Sequence, residues 1–268
     1  MLKDITLGQY FPGKSCVHRL DPRTKLVLLI VYIIALFSAV SWVSYGVCLL
    51  FILSGILLSG IPGKAFVRGM KPLAMILVFT SVLNIFFTQG ETVLVSFWRI
   101  QITLEGVFRA IMMLSRITML IAGTFLLTYT TSPISLTDGL ESLLNPLKAM
   151  KVPVHELSMM MCIALRFIPT LIEETDKIMS AQKARGADFE YGKLMERVKA
   201  LIPILVPLFV SAFRRADELA TAMECRCYHG GDGRTKMKLL RYKRLDFEAY
   251  GIGVILLCLV FVLRHFGL

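Results

Sequence analysis

The sequence lacks the residue clusters from which most metal, redox and hydrolytic sites are built. Its six cysteines include no CxxC pair, and its four histidines are scattered along the chain. This pattern argues against zinc ligands or a disulfide framework and indicates reduced, structural thiols. HExxH is absent, as are carboxylates within the long apolar segments, and the glycine-rich, basic stretch over 230–244 lacks the GxxxxGK[ST] spacing. We therefore expect a non-catalytic chain that itself binds no metal, cofactor or nucleotide.

Charged residues are scarce, and acidic ones are scarcer than basic ones. Only 18% of the residues are charged against 56% apolar, and the mean hydropathy of +0.68 is typical of an integral membrane protein. There are 30 lysines and arginines against 19 acidic residues. In so apolar a chain this excess indicates cytoplasmic loops that follow the positive-inside bias, and not nucleic-acid binding. No apolar run lies near Met1, so we expect no cleavable signal peptide.

Long uncharged stretches predict about five transmembrane helices. Residues 26–60 carry no charge and are too many for a single span of roughly 20 residues. The sequence SAVSWVS in the middle of this stretch predicts the turn of a helical hairpin. Further spans are predicted over residues 73–88, 106–130 and 249–263. The expected fold class is an all-α integral membrane protein with a cytoplasmic domain of long amphipathic helices.

The basic residues predict the orientation of the chain. With the N-terminus inside, the inner segments are 1–25, 61–72 and 131–244, and they hold 5, 3 and 18 lysines and arginines, or 26 of the 30. This distribution predicts a cytoplasmic N-terminus and an outer C-terminus. The predicted domains are therefore a four-span membrane domain over 1–130, a cytoplasmic domain over 131–244 and a final span within 245–268.

Two long amphipathic helices are predicted in the cytoplasmic segment. Apolar residues recur at helical spacing from Leu157 to Met179 and from Val198 to Met223, while charged residues occupy the opposite faces. Each helix has roughly 30 residues and a length of roughly 45 Å. Their uncharged cores are about 14 residues or shorter, and Arg166 interrupts the first. We expect both helices to lie on protein or at the membrane surface and not to span the bilayer.

Both helices end in an arginine between small residues. The sequences AQKARGADF and TAMECRCYHG align at a shift of 41, which superposes Arg185 on Arg226. One Arg-Gly helix ending is ordinary, because glycine closes helices and arginine complements the dipole. Two copies at one offset favour a pair of arginine tips that bind two similar partner subunits. The two motifs are Ala184-Arg185-Gly186 and Cys225-Arg226-Cys227.

Arg116 lies deep in the fourth predicted span. Charges at membrane depth are costly and often functional. Since no span contains an acidic residue, we favour a structural role, in which Arg116 pairs with Asn84 or with freed carbonyl groups of a neighbouring span. A role in substrate binding is the alternative.

Four segments resemble one transporter family. GQYFPGKSCVHRLDPRTKL (8–26) is similar to its N-terminal signature, and TTSP (130–133) to the start of its cytoplasmic part. Residues 165–189 and 201–228 resemble its two coupling helices. On these segments the chain resembles the transmembrane coupling subunit of energy-coupling factor transporters, the EcfT/CbiQ family, over nearly its whole length.

In that family each coupling helix ends in an Ala-Arg-Gly motif that inserts into a groove of one of two ATPase subunits. The first motif is intact at Ala184-Arg185-Gly186. The second keeps Arg226 but has cysteine on both sides. Without glycine at 227, we expect this helix to end either in the same way or later, at Gly230 or Gly231.

The resemblance implies the partners and the mechanism. It implies two ATP-binding-cassette subunits that bind Mg-ATP, a small substrate-binding membrane subunit, and location in a bacterial cell membrane. ATP-driven closure would move the coupling helices and release a vitamin or other micronutrient inside the cell. The methionines at 159–161 would suit an adaptable sliding face, or would simply fill a core.

Two alternatives remain at this point. A dedicated cobalt or nickel importer would use a similar subunit, and the sequence does not name the cargo. A stand-alone secondary transporter would show its repeat within the membrane, whereas the repeat here is cytoplasmic.

Overall fold

The structure is a computed structural model, and it describes residues 10–87, 92–97, 100–187, 189, 194–231 and 239–266. Its described part is dominated by helices, which confirms the predicted all-α membrane fold class. The first two residues of the 8–26 signature lie outside the described residues. The helices are α1 (Cys16–Arg19), α2 (Pro22–Ser38), α3 (Trp42–Ser59), α4 (Gly63–Phe87), α5 (Leu104–Thr130), α6 (Pro133–Leu144), α7 (Val154–Ala184), α8 (Leu194–Glu224) and α9 (Arg244–His265).

A short hairpin between α4 and α5 departs from the helical pattern. Strand β1 (Val93–Phe97) pairs antiparallel with β2 (Ile100–Thr103), with Phe97 opposite Ile100. The sequence analysis did not predict it. Thr103 at its end caps α5, because its hydroxyl accepts a hydrogen bond from Gly106 N at 3.2 Å.

Helices α2 and α3 form the predicted helical hairpin. Helix α2 ends at Ser38 and α3 begins at Trp42, so the turn lies within SAVSWVS. The Ser41 hydroxyl caps α3 by accepting a hydrogen bond from Ser44 N at 3.3 Å. Asp21 caps α2 in the same way, through Arg23 N at 3.0 Å, and Pro22 occupies the first helical position.

Helix α4 corrects the predicted start of the third span. We expected residues 73–88, with Lys71-Pro72 as the boundary, but α4 begins ten residues earlier at Gly63 and runs through Pro72. Proline inside a spanning helix is tolerated because neighbouring groups can satisfy the freed carbonyl. Proline was therefore a poor marker of the helix end here.

Among the described residues, five helices are long and apolar enough to cross a membrane: α3, α4, α5, α7 and α9. Helix α2 has only 17 residues, at the lower end of the length that spans a bilayer. Helix α7 also qualifies by length and composition, although the sequence analysis assigned it to the cytoplasmic segment. That assignment remains a prediction.

The described residues form two compact units. One lies within Glu141–Leu239 and contains α7 and α8. The other lies within Gly8–Leu140 and Leu240–Leu268 and contains α2 to α5 and α9. We refer to them as the coupling unit and the membrane unit, after the roles that the sequence analysis predicts for their helices.

The core of the membrane unit lies between α2, α3, α5 and α9. Small residues bring these helices close together, since a Cβ at Gly123 would lie 3.1 Å from the Tyr32 ring and one at Gly253 would lie 2.7 Å from Leu28. The Tyr32 ring stacks on that of Phe51 at 5.6 Å. The buried apolar residues of this core are Tyr32, Ala35, Leu36, Ala39, Tyr45, Cys48, Ile52, Met119, Ala122, Leu256 and Val260.

Buried polar groups join three helix ends in the membrane unit. Asp246, which is 1% exposed, accepts hydrogen bonds from Asp21 N at 2.8 Å and Lys243 N at 2.7 Å. The Lys25 ammonium donates to Thr130 O at 2.8 Å and Thr131 Oγ1 at 3.2 Å. The start of α2 is thereby fixed to the start of α9 and the end of α5.

Candidate functional site at the ends of α7 and α8

Helix α7 ends in a turn that presents Arg185. Gly186 has a left-handed backbone with φ of +87°, and its N–H donates to Lys183 O at 3.0 Å. Ala187 N donates to Gln182 O at 3.0 Å. These two bonds form a Schellman motif, which satisfies carbonyl groups that the helix end leaves free.

Helix α8 ends in the same motif without a glycine. Cys227 has φ of +56°, and its N–H donates to Glu224 O at 2.8 Å. Tyr228 N donates to Met223 O at 3.1 Å. Each donor and acceptor lies 41 residues after its counterpart in the first turn.

The alternative ending at Gly230 or Gly231 is therefore wrong. The backbone hydrogen bonds of the last turn fix the ending at Cys227, and Gly230, with φ of +100°, lies three residues beyond it. A residue with a Cβ takes the left-handed position at a cost of about 1–2 kcal/mol.

The six motif residues are all exposed. Neither the Arg185 nor the Arg226 guanidinium has a hydrogen bond or an ion pair within the part of the chain that the structure describes. A Cβ at Gly186 would meet no atom within 4 Å, so this turn stands clear of its surroundings. Both arginines are thus available as planar donors. The exposed residues are Ala184, Arg185, Gly186, Cys225, Arg226 and Cys227.

Helices α7 and α8, 31 residues each, pack antiparallel. Gln182 Nε2 donates to Pro203 O at 3.3 Å, and the Tyr228 hydroxyl donates to Met159 Sδ at 3.1 Å. The end of α7 thus contacts the first part of α8, and the beginning of α7 contacts the residues that follow α8. The two arginine turns therefore lie at opposite ends of the pair, separated by roughly 40 Å of α7.

The middle of the pair is joined by polar contacts. The Arg215 guanidinium donates to the Glu174 carboxylate at 3.1 Å, and the Ser211 hydroxyl donates to the same carboxylate. Both charged side chains are partly exposed, at 37% and 21%. Such an ion pair contributes little to stability, typically about 0.2–1 kcal/mol.

A groove of about 920 Å³ lies between the first half of α7 and the last half of α8. Its walls are apolar and polar in similar measure, and Arg166, Arg215 and Arg226 are among the residues that line it. Of the methionine run, Met159 lines the groove and Met160 and Met161 are exposed. Helix α8 also exposes a large apolar surface: Leu201, Ile202, Leu205, Val206, Phe209, Val210 and Phe213.

The sequence analysis missed a polar cluster beside the second turn. His155 Nδ1 lies 3.1 Å from Glu141 Oε1, and the Ser158 hydroxyl donates to the other oxygen of Glu141 at 3.1 Å. The Tyr228 hydroxyl lies 3.4 Å from His155 Nε2. Since Tyr228 follows His155 by 73 residues, no local pattern could have indicated this contact.

Arg116 lies on α5 in the membrane unit. Its Nη2 donates to Ala39 O, at the end of α2, at 3.0 Å. The guanidinium lies over the Tyr45 ring at 5.6 Å from its centroid. Asn84, the other predicted partner, instead donates to Thr80 O at 2.9 Å within its own helix.

Comparison with known proteins identifies the family. A family model described as "CbiQ: Cobalt transport protein" matches residues 13–237. The "Energy-coupling factor transporter transmembrane protein EcfT" of Ruminiclostridium cellulolyticum is 52% identical over 265 residues, which are 99% of each chain. Proteins of the same name from Bacillus subtilis, 47% identical over 98% of this chain and 100% of the relative, and Lactococcus lactis, 45% identical over 98% of each, are also similar. The chain therefore belongs to the CbiQ/EcfT family of transporter transmembrane proteins.

Proposed function

We propose that the chain is the coupling subunit of an energy-coupling factor importer, and that Arg185 and Arg226 bind two ATPase subunits. The observation that carries this proposal is the pair of turns with one backbone geometry at opposite ends of the α7–α8 pair. Two similar tips roughly 40 Å apart suit two copies, or two relatives, of one partner better than two contacts on one small surface.

The arginines provide the recognition chemistry. A guanidinium offers five planar donors that match carboxylate groups and backbone carbonyls of a partner groove. Mg-ATP would be bound and hydrolysed by the partners. The one GxxxxGK[ST] match in this sequence, GQYFPGKS (8–15), leads into the four-residue helix α1 and not into the long helix that follows a phosphate-binding loop. Closure of the two ATPase subunits on ATP would draw the tips together and move α7 against α8.

The exposed apolar surface of α8 is the proposed contact for a small substrate-binding membrane subunit. Phe209, Val210 and Phe213 are 56–70% exposed, and a monomeric protein rarely leaves such a surface uncovered. Apolar contacts without directional hydrogen bonds permit sliding and exchange of partners. The cargo, a vitamin or another micronutrient, would be bound by that subunit.

The proposed location is a bacterial cell membrane, with the N-terminus inside and the C-terminus outside. The 26 basic residues in the segments predicted to face inward support this orientation. Cobalt or nickel is the alternative cargo, and of these two the description of the matching family model favours cobalt. Either cargo leaves the role of this chain unchanged.

Affinity purification from native membranes tests the proposal. The wild-type chain is compared with Arg185→Glu/Arg226→Glu, and everything that co-purifies is identified by mass spectrometry. Arg214→Glu is the matched control, because Arg214 is an exposed arginine of α8 that lies outside both turns. Loss of a buried arginine anchor costs about 2–4 kcal/mol at an interface.

We expect the double variant to lose two nucleotide-binding subunits and keep a small membrane protein, while the control keeps all three. Unchanged co-purification of the ATPase subunits would contradict the proposal. A chain that purifies alone and still moves solute in liposomes would instead favour a stand-alone transporter.

A further inference from the structure

We propose that Glu141, His155 and Tyr228 form a brace that positions the second arginine turn for docking. The inference rests on the proposed function, because it assigns these residues a role only through Arg226. They would be positioning residues, since none of them belongs to the motif itself. All lie in the coupling unit.

Tyr228 connects the brace to the turn. Its backbone N–H closes the Schellman motif on Met223 O at 3.1 Å. Its hydroxyl lies 3.4 Å from His155 Nε2 and donates to Met159 Sδ at 3.1 Å, both on the first turns of α7. Tyr228, which follows the left-handed residue after α8, is therefore held from two sides, by α8 and by α7.

His155 is itself fixed. Its Nδ1 lies 3.1 Å from Glu141 Oε1, and the carboxylate is held in turn by the Ser158 hydroxyl. The side chains of His155 and Glu141 are only 16% and 13% exposed, so water competes weakly for these bonds. The imidazole therefore has a defined orientation, with its Nε2 facing the Tyr228 hydroxyl.

The chain leaving the turn packs against the same ring. A Cβ added to Gly231 would lie 2.5 Å from His155 Cδ2, so the backbone passes directly beside the imidazole. His155 therefore contacts the segment on both sides of His229. This close approach would be lost if the turn moved away from α7.

Among the residues that the structure describes, the first turn has no counterpart of this brace. Ala187 occupies the position equivalent to Tyr228, and a methyl group cannot form hydrogen bonds. The first turn instead has Gly186, which adopts the left-handed conformation without the Cβ conflict that Cys227 has. The turn that lacks the glycine is the one that is braced, which is why we assign the brace to holding Cys227 in place.

Hydrogen–deuterium exchange of the full chain tests the brace without any partner. The readout is the exchange rate of the amides in residues 223–228, and residues 182–187 at the first turn serve as the internal control. Removing one hydrogen bond from a partly buried hydroxyl should change the equilibrium between the closed and the open turn, and with it the exchange rate, about three- to tenfold. We expect Tyr228→Phe to accelerate exchange at the second turn about three- to tenfold and leave the first turn unchanged.

Docking is measured with the same variants by quantifying the nucleotide-binding subunits that co-purify per chain. Tyr228→Phe should lower recovery at the second site, and Thr221→Ala, which removes an exposed hydroxyl bonded only within α8, should not. Cys227→Gly placed in the Tyr228→Phe chain should restore both slow exchange and recovery, since glycine needs no brace there. If Tyr228→Phe lowered recovery by disturbing the fold away from the second turn, Cys227→Gly would not restore it.

The outcomes separate this proposal from the proposed function. If Arg226→Glu keeps both nucleotide-binding subunits, the docking role of the second turn is wrong, and the brace has nothing to position. If Arg226→Glu loses a subunit but Tyr228→Phe changes neither exchange nor recovery, the brace is wrong and the docking role stands. Faster exchange with unchanged recovery, or a failed rescue by Cys227→Gly, would equally overturn the positioning role.

Discussion

Cys227 holds the backbone position at the end of α8 that Gly186 holds at the end of α7, and both have positive φ, at +56° and +87°. The hydrogen bonds around the two residues are also the same. In each turn the N–H of the left-handed residue donates to the carbonyl three residues before it, and the N–H of the residue that follows donates to the carbonyl five residues before itself. The shape of the turn therefore does not depend on glycine. Glycine only lowers the cost of adopting it.

Replacing Cys227 by glycine should stabilise the end of α8. Glycine removes the steric conflict of the left-handed conformation, and its greater freedom in the unfolded chain offsets part of the gain, so we expect about 0.5–1 kcal/mol. The measurement is slower amide exchange over residues 225–228. Cys225→Gly is the matched control and should speed exchange, because residue 225 precedes the left-handed position and glycine weakens a helical turn there. Equal rates in both variants would contradict the strain at Cys227.

Periodicity and end signals in the sequence sufficed for most of the long helices and for the arginine repeat, but not for the start of α4. Asp21-Pro22, Ser41 and the Arg185-Gly186 pair are local signals, in which a side chain or a backbone preference acts within a few residues. Such signals are readable without the fold. The turn between α2 and α3 was found for the same reason.

The features that were missed depend on contacts between distant residues. Helix α4 continues through Pro72. On the same helix, Gly69 comes so close to α5 that a Cβ there would lie 2.7 Å from the Tyr129 hydroxyl, an approach that the sequence does not show. The contact of His155 with Tyr228 likewise joins residues 73 positions apart. Neither feature has a periodic signature.

Arg116 should matter for stability more than for transport. Its guanidinium satisfies the carbonyl of Ala39, which has no further helical turn to bond to, and Arg116→Met would leave that acceptor without its donor. We expect a loss of about 1–3 kcal/mol, seen as a lower thermal unfolding temperature in detergent. Arg109→Met, an exposed arginine seven residues earlier on α5, should change it little. A large loss of transport by well-folded Arg116→Met would instead favour the substrate role.

The Asp246 carboxylate should be one of the most sensitive positions of the membrane unit. It is 1% exposed and accepts from the backbone N–H groups of Asp21 and Lys243 with its two separate oxygens. Asp246→Asn keeps one acceptor and places an amide N–H₂ against the other donor, so we expect a loss of about 1–3 kcal/mol. Thermal unfolding in detergent checks this, with the exposed Glu248→Gln as the control. Equal unfolding temperatures of the two variants would show that the hydrogen bonds from Asp246 to Asp21 N and Lys243 N are dispensable.

The ion pair between Glu174 and Arg215 should contribute little to holding α7 on α8. The two side chains are 21% and 37% exposed, and solvent screens such pairs to about 0.2–1 kcal/mol. A double-mutant cycle with Glu174→Gln and Arg215→Gln, read out by thermal unfolding, should give a coupling energy in that range. Because Ser211 donates to the same carboxylate, Ser211→Ala is run in both backgrounds to separate its hydrogen bond from the ion pair.

A weak ion pair between α7 and α8 would add little to the energetic cost of moving one helix against the other, as the proposed mechanism needs. A coupling energy well above about 2 kcal/mol would contradict the weak pairing.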